Sequence, residues 1–290
     1  MMSQRGPVAF VLSSGANLGA VQVGMLRALI EHDIRPDLVV GCSIGAINGA
    51  GLAEDPTDTG VTRLESLWQA MDGRDLMPRR WLPPPIVLAA RRRDAVHTQD
   101  ALAAVLRRTL AADRFEDLAV PFQCVATDIA AEREAWFSEG PLVEALLASA
   151  AIPAVYPLVE IDGRRYLDGA VLDEVPVRRA AELGARTLYV LEVGPMSRTW
   201  VEPRRPLEIA IQAYWMARRH RYQRELELLP PDVVVHALPH GDPPPIRLHD
   251  FTRTAELIEG AYRASTAYLD AVAPATPDAG PSRPPGDRVG

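Results

Sequence analysis

The apolar positions fall into short continuous runs and helix-spaced stripes that alternate from the N-terminal end. Residues 8–12 form an apolar run closed by Ser13-Ser14-Gly15, which predicts a buried strand feeding a tight turn. From Gly19 to His32 the apolar residues Val23, Leu26, Ala28, Leu29 and Ile30 follow a helical spacing, and Pro36 is expected to stop that helix. Residues 38–40 read as a second buried strand. Residues 43–53, rich in Gly45, Ala46, Gly49, Ala50 and Gly51, read as a helix able to pack closely on a sheet. Strand–helix–strand–helix within so short a stretch is the signature of a parallel sheet with right-handed crossovers.

Farther along, helices are predicted near 63–71 and 98–111, the second with Thr98 as N-cap. Residues 121–128 and 135–138 read as strands, and 143–150 as a helix after Pro141. Residues 158–161 and 164–167 flank Asp162-Gly163, a strong hairpin signal. There follow a helix ending at Gly184, a buried strand over 187–193, a long helix over 207–229, a strand over 232–237 and an amphipathic helix over 251–270. The expected fold is a three-layer α/β/α sandwich with a mainly parallel central sheet. Residues 7–272 would form its single domain, between a flexible 1–6 and a disordered, proline-rich 273–290.

Composition narrows the chemistry. The chain is 48 % apolar and 24 % charged, ordinary values for a globular protein of 290 residues. All 31 basic residues are arginine, and without lysine the P-loop, protein-kinase and Schiff-base classes are excluded. A formal net charge of −7 argues against a general nucleic-acid binder. Cys42 and Cys124 are too few for a disulfide framework or a four-cysteine zinc site, and read as reduced thiols. The acid pairs Asp55/Asp58 and Asp72/Asp75 lack histidine partners or calcium-loop spacing, so no metal and no cofactor is expected. No leader peptide and no apolar run of ~18 residues is visible, which predicts a cytoplasmic protein.

Gly41-Cys42-Ser43-Ile44-Gly45 matches G-x-S-x-G between a predicted strand and a small-residue helix. A serine at such a sharp turn is pushed out of the sheet, and the flanking positions must be glycine because a Cβ there would clash. The nucleophile elbow would thus follow the second strand. Of the histidines, His236, His240 or His249 could complete a triad in the Ser…Asp…His order. However, an α/β-hydrolase normally places its serine after more strands, and His240 and His249 lie in a proline-rich stretch. Two other segments offer chemistry. Ser14-Gly15-Ala16-Asn17-Leu18-Gly19 opens a helix, where unpaired backbone N–H groups can bind an anion. Tyr166-Leu167-Asp168-Gly169-Ala170 ends a hairpin strand on a carboxylate.

Taken together and in this order, the three segments resemble the patatin-like phospholipase family: a glycine-rich oxyanion loop, the elbow, and a distal Asp-Gly-Ala. Gln22-Val23-Gly24-Met25-Leu26 and Ala148-Ser149-Ala150-Ala151-Ile152-Pro153 fit the same pattern, and the resemblance covers about residues 8–195. It implies a dyad of Ser43 and Asp168 with no histidine, an oxyanion hole from the N–H groups of Gly15, Ala16 and Ile44, and structural glycines at Gly19, Gly41, Gly45 and Gly169. The implied reaction is hydrolysis of lipid carboxyl esters through an acyl-Ser43. Because a free aspartate is a poor base at neutral pH, the site would have to bury Asp168.

Ser14 and Ala16 replace two glycines of the family's loop, and Leu18 stands where arginine or lysine is often found. A positive φ at either of the first two would cost ~1–2 kcal/mol. The rival reading is a nucleotide-binding or catalytically inactive lipid-binding protein, although the loop is one glycine short of G-x-G-x-x-G.

Two other segments leave alternatives open. Residues 76–95 combine Trp81, Leu82, Ile86, Val87 and Leu88 with Arg79, Arg80, Arg91, Arg92 and Arg93. This suits a lid or a peripheral contact with anionic lipid, or else an ordinary surface excursion with its apolar residues turned inward. Arg218, Arg219, His220, Arg221 and Arg224, offset by Glu225 and Glu227, are expected on a solvated helix face with local ion pairs rather than in a binding patch, and Ile209, Ile211, Tyr214, Trp215 and Met216 in a core or dimer contact. Oligomeric state is not legible in the sequence.

Overall fold

The computed structural model describes residues 6–71, 98–153, 155–193, 206–242 and 250–272, without the side chains of 206–208, 210–212, 214 and 215. Its elements run β1 (Val8–Leu12), α1 (Gly19–Glu31), β2 (Leu38–Cys42), α2 (Ile44–Glu54), α3 (Asp58–Ala70) and α4 (Asp100–Thr109). Then come β3 (Phe122–Asp128), β4 (Arg133–Phe137), α5 (Leu142–Ser149), β5 (Val159–Ile161), β6 (Arg164–Asp168) and α6 (Val177–Glu182). β7 (Thr187–Leu191), α7 (Pro206–Glu227), β8 (Val234–Ala237) and α8 (Thr254–Val272) complete the order.

The strands form one sheet in the order β5-β6-β3-β2-β1-β7-β8, with β4 also on β3. The pairs β1–β2, β1–β7, β2–β3 and β7–β8 are parallel, while β3–β4, β3–β6 and β5–β6 are antiparallel. Because strand side chains alternate between faces, the sheet feeds two cores. Phe10, Leu12, Val39, Phe122 and Leu191 meet α1, α2, α3, α4, α5 and α8. Ala9, Val11, Val40, Leu188 and Val190 meet α6 and the end of α7, through Tyr222 and Leu226. The fold is the expected α/β/α sandwich.

The crossing of β3 positions the chemistry. Val39 to Cys42 of β2 pair with Phe122 to Val125, and Asp168 to Tyr166 of β6 pair with Ala126 to Asp128. Since β4 occupies the opposite edge of β3, β2 and β6 share one edge and their ends meet. Cys42 faces Val125 and Asp168 faces Ala126, its immediate neighbour. The residue after Cys42 and the last residue of β6 are therefore brought together by two consecutive positions of a third strand.

Local details follow the sequence with some corrections. Asp162 and Gly163 both take positive φ (51° and 74°), the conformation an Asp-Gly hairpin turn requires. α1 stops before Pro36: Asp33 turns left-handed at φ 55°, its N–H bonds Ile30 O, and Ile34 N–H bonds Leu29 O. Thr98 does not cap α4. Gln99 holds the N-cap position, and its amide donates to Leu147 O at 2.9 Å. The basic stretch of α7 is the expected solvated face with local ion pairs except at Arg218. Arg218 is buried and Arg221 bonds Glu134 and Glu225, whereas Arg219, His220 and Arg224 are exposed. Ile209 and Met216 are 52 % and 55 % exposed, so neither is a core residue of the single chain.

The segments 76–95 and 273–290, the side chains of Ile211, Tyr214 and Trp215, and Asp72, Asp75 and His249 lie outside the described residues. Among the described residues no helix is long and apolar enough to cross a membrane, and no cluster of three metal-ligating side chains occurs.

Candidate active site

Ser43 sits between β2 and α2 at φ 54°, ψ −121°, outside the regions a side-chain-bearing residue ordinarily occupies. The surrounding backbone enforces this conformation. A Cβ on Gly41 would lie 2.5 Å from Gly45 O, and one on Gly45 would run into the carbonyl oxygens of Leu12 and Ser13. The strand, the elbow and the first turn of α2 thus touch backbone to backbone. Ser43 N–H donates to Ser149 Oγ at 2.9 Å, and Ser149 is wholly buried at the end of α5.

Ser43 Oγ donates to Asp168 Oδ2 at 2.7 Å. Both residues are buried, at 5 % and 4 % exposure. Asp168 Oδ1 accepts Ala170 N–H at 2.8 Å, so each carboxylate oxygen has its own partner. Asp168 is anchored by its N–H to Ala151 O and by Thr127 Oγ1 to its carbonyl. Burial pushes the Asp168 carboxyl up to about 6, against the opposing pull of the bonds from Ser43 and Ala170 and the charge of Arg218. The same burial, with Asp168 nearby, raises the Cys42 thiol, which keeps it protonated beside the serine.

The loop after β1 approaches the same end of the sheet. A Cβ on Gly45 would meet Ser13 O, and one on Gly19 would lie 2.5 Å from Ile44 Cγ1. Among the described residues the N–H groups of Gly15, Ala16 and Ile44 donate no hydrogen bond. Ala16 has φ 50° and carries the left-handed strain; Ser14 does not. Leu18 is buried in the core. Gln22 Nε2 donates to Ser13 O and Leu191 O, and its Oε1 accepts from Asn48, which in turn accepts from Trp68 Nε1. Gly169 packs against Val125 O, where a Cβ would not fit.

The structure therefore brings together Ser43 and Asp168. His236 is engaged elsewhere, stacked on Tyr189 and bonded to Tyr268, and no described histidine bonds Ser43. Sequence reasoning gave no role at this site to three of its neighbours: Ser149, Glu174 and Arg218. Ser149 left a trace, as the one small polar residue in the apolar stretch Leu-Leu-Ala-Ser-Ala-Ala. Glu174 left none, and Arg218 read as one member of a basic helix cluster.

An α/β/α sandwich with a strained serine elbow bonded to a carboxylate on a neighbouring strand defines a class with which the comparisons agree. The family model for patatin-like phospholipase matches residues 10–181, and the chain belongs to that family. It is 32 % identical over 214 residues to an uncharacterised NTE family protein of Mycobacterium tuberculosis, covering 74 % of this chain and 56 % of that one. It is 28 % identical over 194 residues to human patatin-like phospholipase domain-containing protein 6, covering 66 % of this chain and 14 % of that one. The match thus spans little more than half of the mycobacterial relative and a small part of the human one. Among solved structures, VipD from Legionella pneumophila shares the fold at a TM-score of 0.50 and 14 % identity, over 92 % of this chain and 67 % of that one.

Proposed function

We propose that the chain is a serine acyl hydrolase that cleaves carboxyl esters of lipids through a Ser43–Asp168 dyad. The observation that carries the reading is the 2.7 Å bond from Ser43 Oγ to Asp168 Oδ2 on a strained elbow. Asp168 Oδ2 takes the proton as Ser43 Oγ attacks the ester carbonyl, and Ala170 N–H holds Oδ1 away from that exchange. The tetrahedral oxyanion is received by the open N–H groups of Gly15, Ala16 and Ile44, the last at the positive end of α2. Asp168 returns the proton to the leaving alcohol, leaving an acyl-Ser43. Water, deprotonated by Asp168, then attacks the acyl carbon, and Asp168 returns that proton to Ser43 Oγ as its bond to the acyl carbon breaks and the fatty acid leaves. No cofactor enters this sequence. A carboxyl raised to about 6 is a stronger base than a free aspartate yet stays ionised at neutral pH, which suits this role. Among relatives matched over part of their length is a lysophospholipase of Aspergillus terreus, 29 % identical over 196 residues, which supports a lipid ester as substrate. Contact with a lipid surface is part of the proposal.

Labelling with a fluorophosphonate, together with product analysis on mixed phospholipids and neutral lipids, tests the reading. Wild type should take the label and release fatty acid. Ser43→Ala should do neither, and Asp168→Asn should lose hydrolysis. An unlabelled wild type that hydrolyses no acyl ester would instead favour a binding protein on the same fold.

A further inference from the structure

The loop bearing Gly15 and Ala16 is held from two sides. On one side is the neutral ladder Trp68–Asn48–Gln22, ending on Ser13 O. On the other is a charged cluster reached from far along the chain. Ser14 N–H donates to Glu174 O at 3.1 Å, and Ser14 Oγ donates to Glu174 Oε1 at 3.1 Å. Arg218 Nη2 donates both to Ser14 Oγ at 2.5 Å and to Glu174 Oε1 at 2.7 Å. The three groups close a triangle in which Ser14 gives one hydrogen bond and accepts another. The Arg218 side chain is 7 % exposed, so this is an interior pair, with little of the screening that weakens surface ion pairs.

Position gives the triangle its meaning. Ser14 immediately precedes the two loop residues whose N–H groups are open, and Glu174 lies six residues after Asp168 on the loop leaving β6. The triangle therefore ties the oxyanion loop to the carboxylate loop. A glycine at position 14 could offer its N–H to Glu174 O but nothing to Arg218. We infer that Arg218, on α7 and outside the stretch 10–181 that the family model matches, is a positioning residue that holds the oxyanion loop through Ser14 and Glu174. This rests on the ester-hydrolase reading, because the loop matters to rate only if an oxyanion forms there. The physical consequence is specific. A loop displaced by a fraction of an ångström misaligns donors that act in the transition state, so turnover falls while ground-state binding of the acyl chain is spared.

The experiment is a double-substitution cycle on hydrolysis of a nitrophenyl acyl ester, with kcat and KM measured separately. Ser14→Gly removes the hydroxyl link and leaves both charges paired. Arg218→Lys keeps the charge but carries it on a shorter side chain, out of reach of the point from which Nη2 meets both acceptors. Each should lower kcat about ten- to a hundredfold with KM within about twofold, and the double variant should be no worse than the poorer single one. Arg218→Met combined with Glu174→Gln removes the buried charges as a pair and guards against misfolding. It should melt as a folded protein yet show the same loss in kcat. Multiplicative losses in the double variant, or an unchanged kcat in any of these proteins, overturn the inference while leaving the hydrolase reading intact. A wild type that neither hydrolyses the ester nor takes a fluorophosphonate overturns the hydrolase reading, and this inference with it.

Discussion

Cys42 and Asp168 pair with adjacent residues of one strand, Val125 and Ala126, and this register places Ser43 Oγ 2.7 Å from Asp168 Oδ2 across 125 positions of sequence. The geometry fixes the pH behaviour. Asp168 can accept a proton only when ionised, and burial holds its carboxyl at about 6. In a profile of kcat/KM against pH, activity should fall about tenfold per unit below pH 6 and be flat from about 7 upward. An acid limb centred near 4 would show that the carboxyl is not held in the buried state described.

The same burial affects stability. The folded-state value of Asp168 lies above its ordinary 3.8, so the folded protein holds the proton more tightly than the unfolded chain. This contribution is fully present below pH 3.8 and is lost as pH rises through about 6. Asp168→Asn, neutral at every pH, should therefore be more stable than wild type above pH 6, by up to ~3 kcal/mol for a shift of about two units. The gap should close between pH 6 and 4. Urea unfolding at pH 4 and pH 8 measures it, and a gap independent of pH would contradict the assignment.

Ser149 accepts the N–H of Ser43 from a wholly buried position. Ser149→Ala leaves that N–H unpaired next to a strained residue, which should cost ~1–3 kcal/mol in a denaturant midpoint. Turnover should fall with it, because the N–H is one of the restraints on the elbow. A variant with wild-type midpoint and wild-type turnover would show that the bond is dispensable.

Ala16 is the loop residue that carries a left-handed φ, 50°. An L-residue there costs ~1–2 kcal/mol, and a glycine gives back ~0.5–1 kcal/mol through its freer unfolded chain. Ala16→Gly should therefore raise stability by about 0.5 kcal/mol, with the open N–H groups kept in place and activity preserved. Thermal unfolding decides the matter, and a clear loss of stability would mean that the Ala16 methyl contributes more by packing than its φ costs.

Much of this architecture was legible because local physics dictates it. Strand 8–12 and the helix after it, the hairpin at Asp162-Gly163 and the small-residue helix after Ser43 all follow from periodicity and turn chemistry at close range. The elbow was legible for the same reason, since Gly41 and Gly45 flank Ser43 within one turn. Errors arose where an equivalent local solution existed. Thr98 and Gln99 could each start α4, and the choice followed a tertiary bond to Leu147 O.

The chain alone determined a serine on a forced bend, a carboxylate ending a hairpin and a small-residue loop opening a helix, because each is a property of a few adjacent residues. Only the folded sheet decided that β2 and β6 end on one edge of β3, that Ser149 holds the elbow, and that a glutamate and an arginine from distant loops and helices close on Ser14. Those relations are contacts between separate elements. Arg218 looked solvated because charged helices usually are, and its burial depends on Glu174 having been carried to the same place by a different part of the fold.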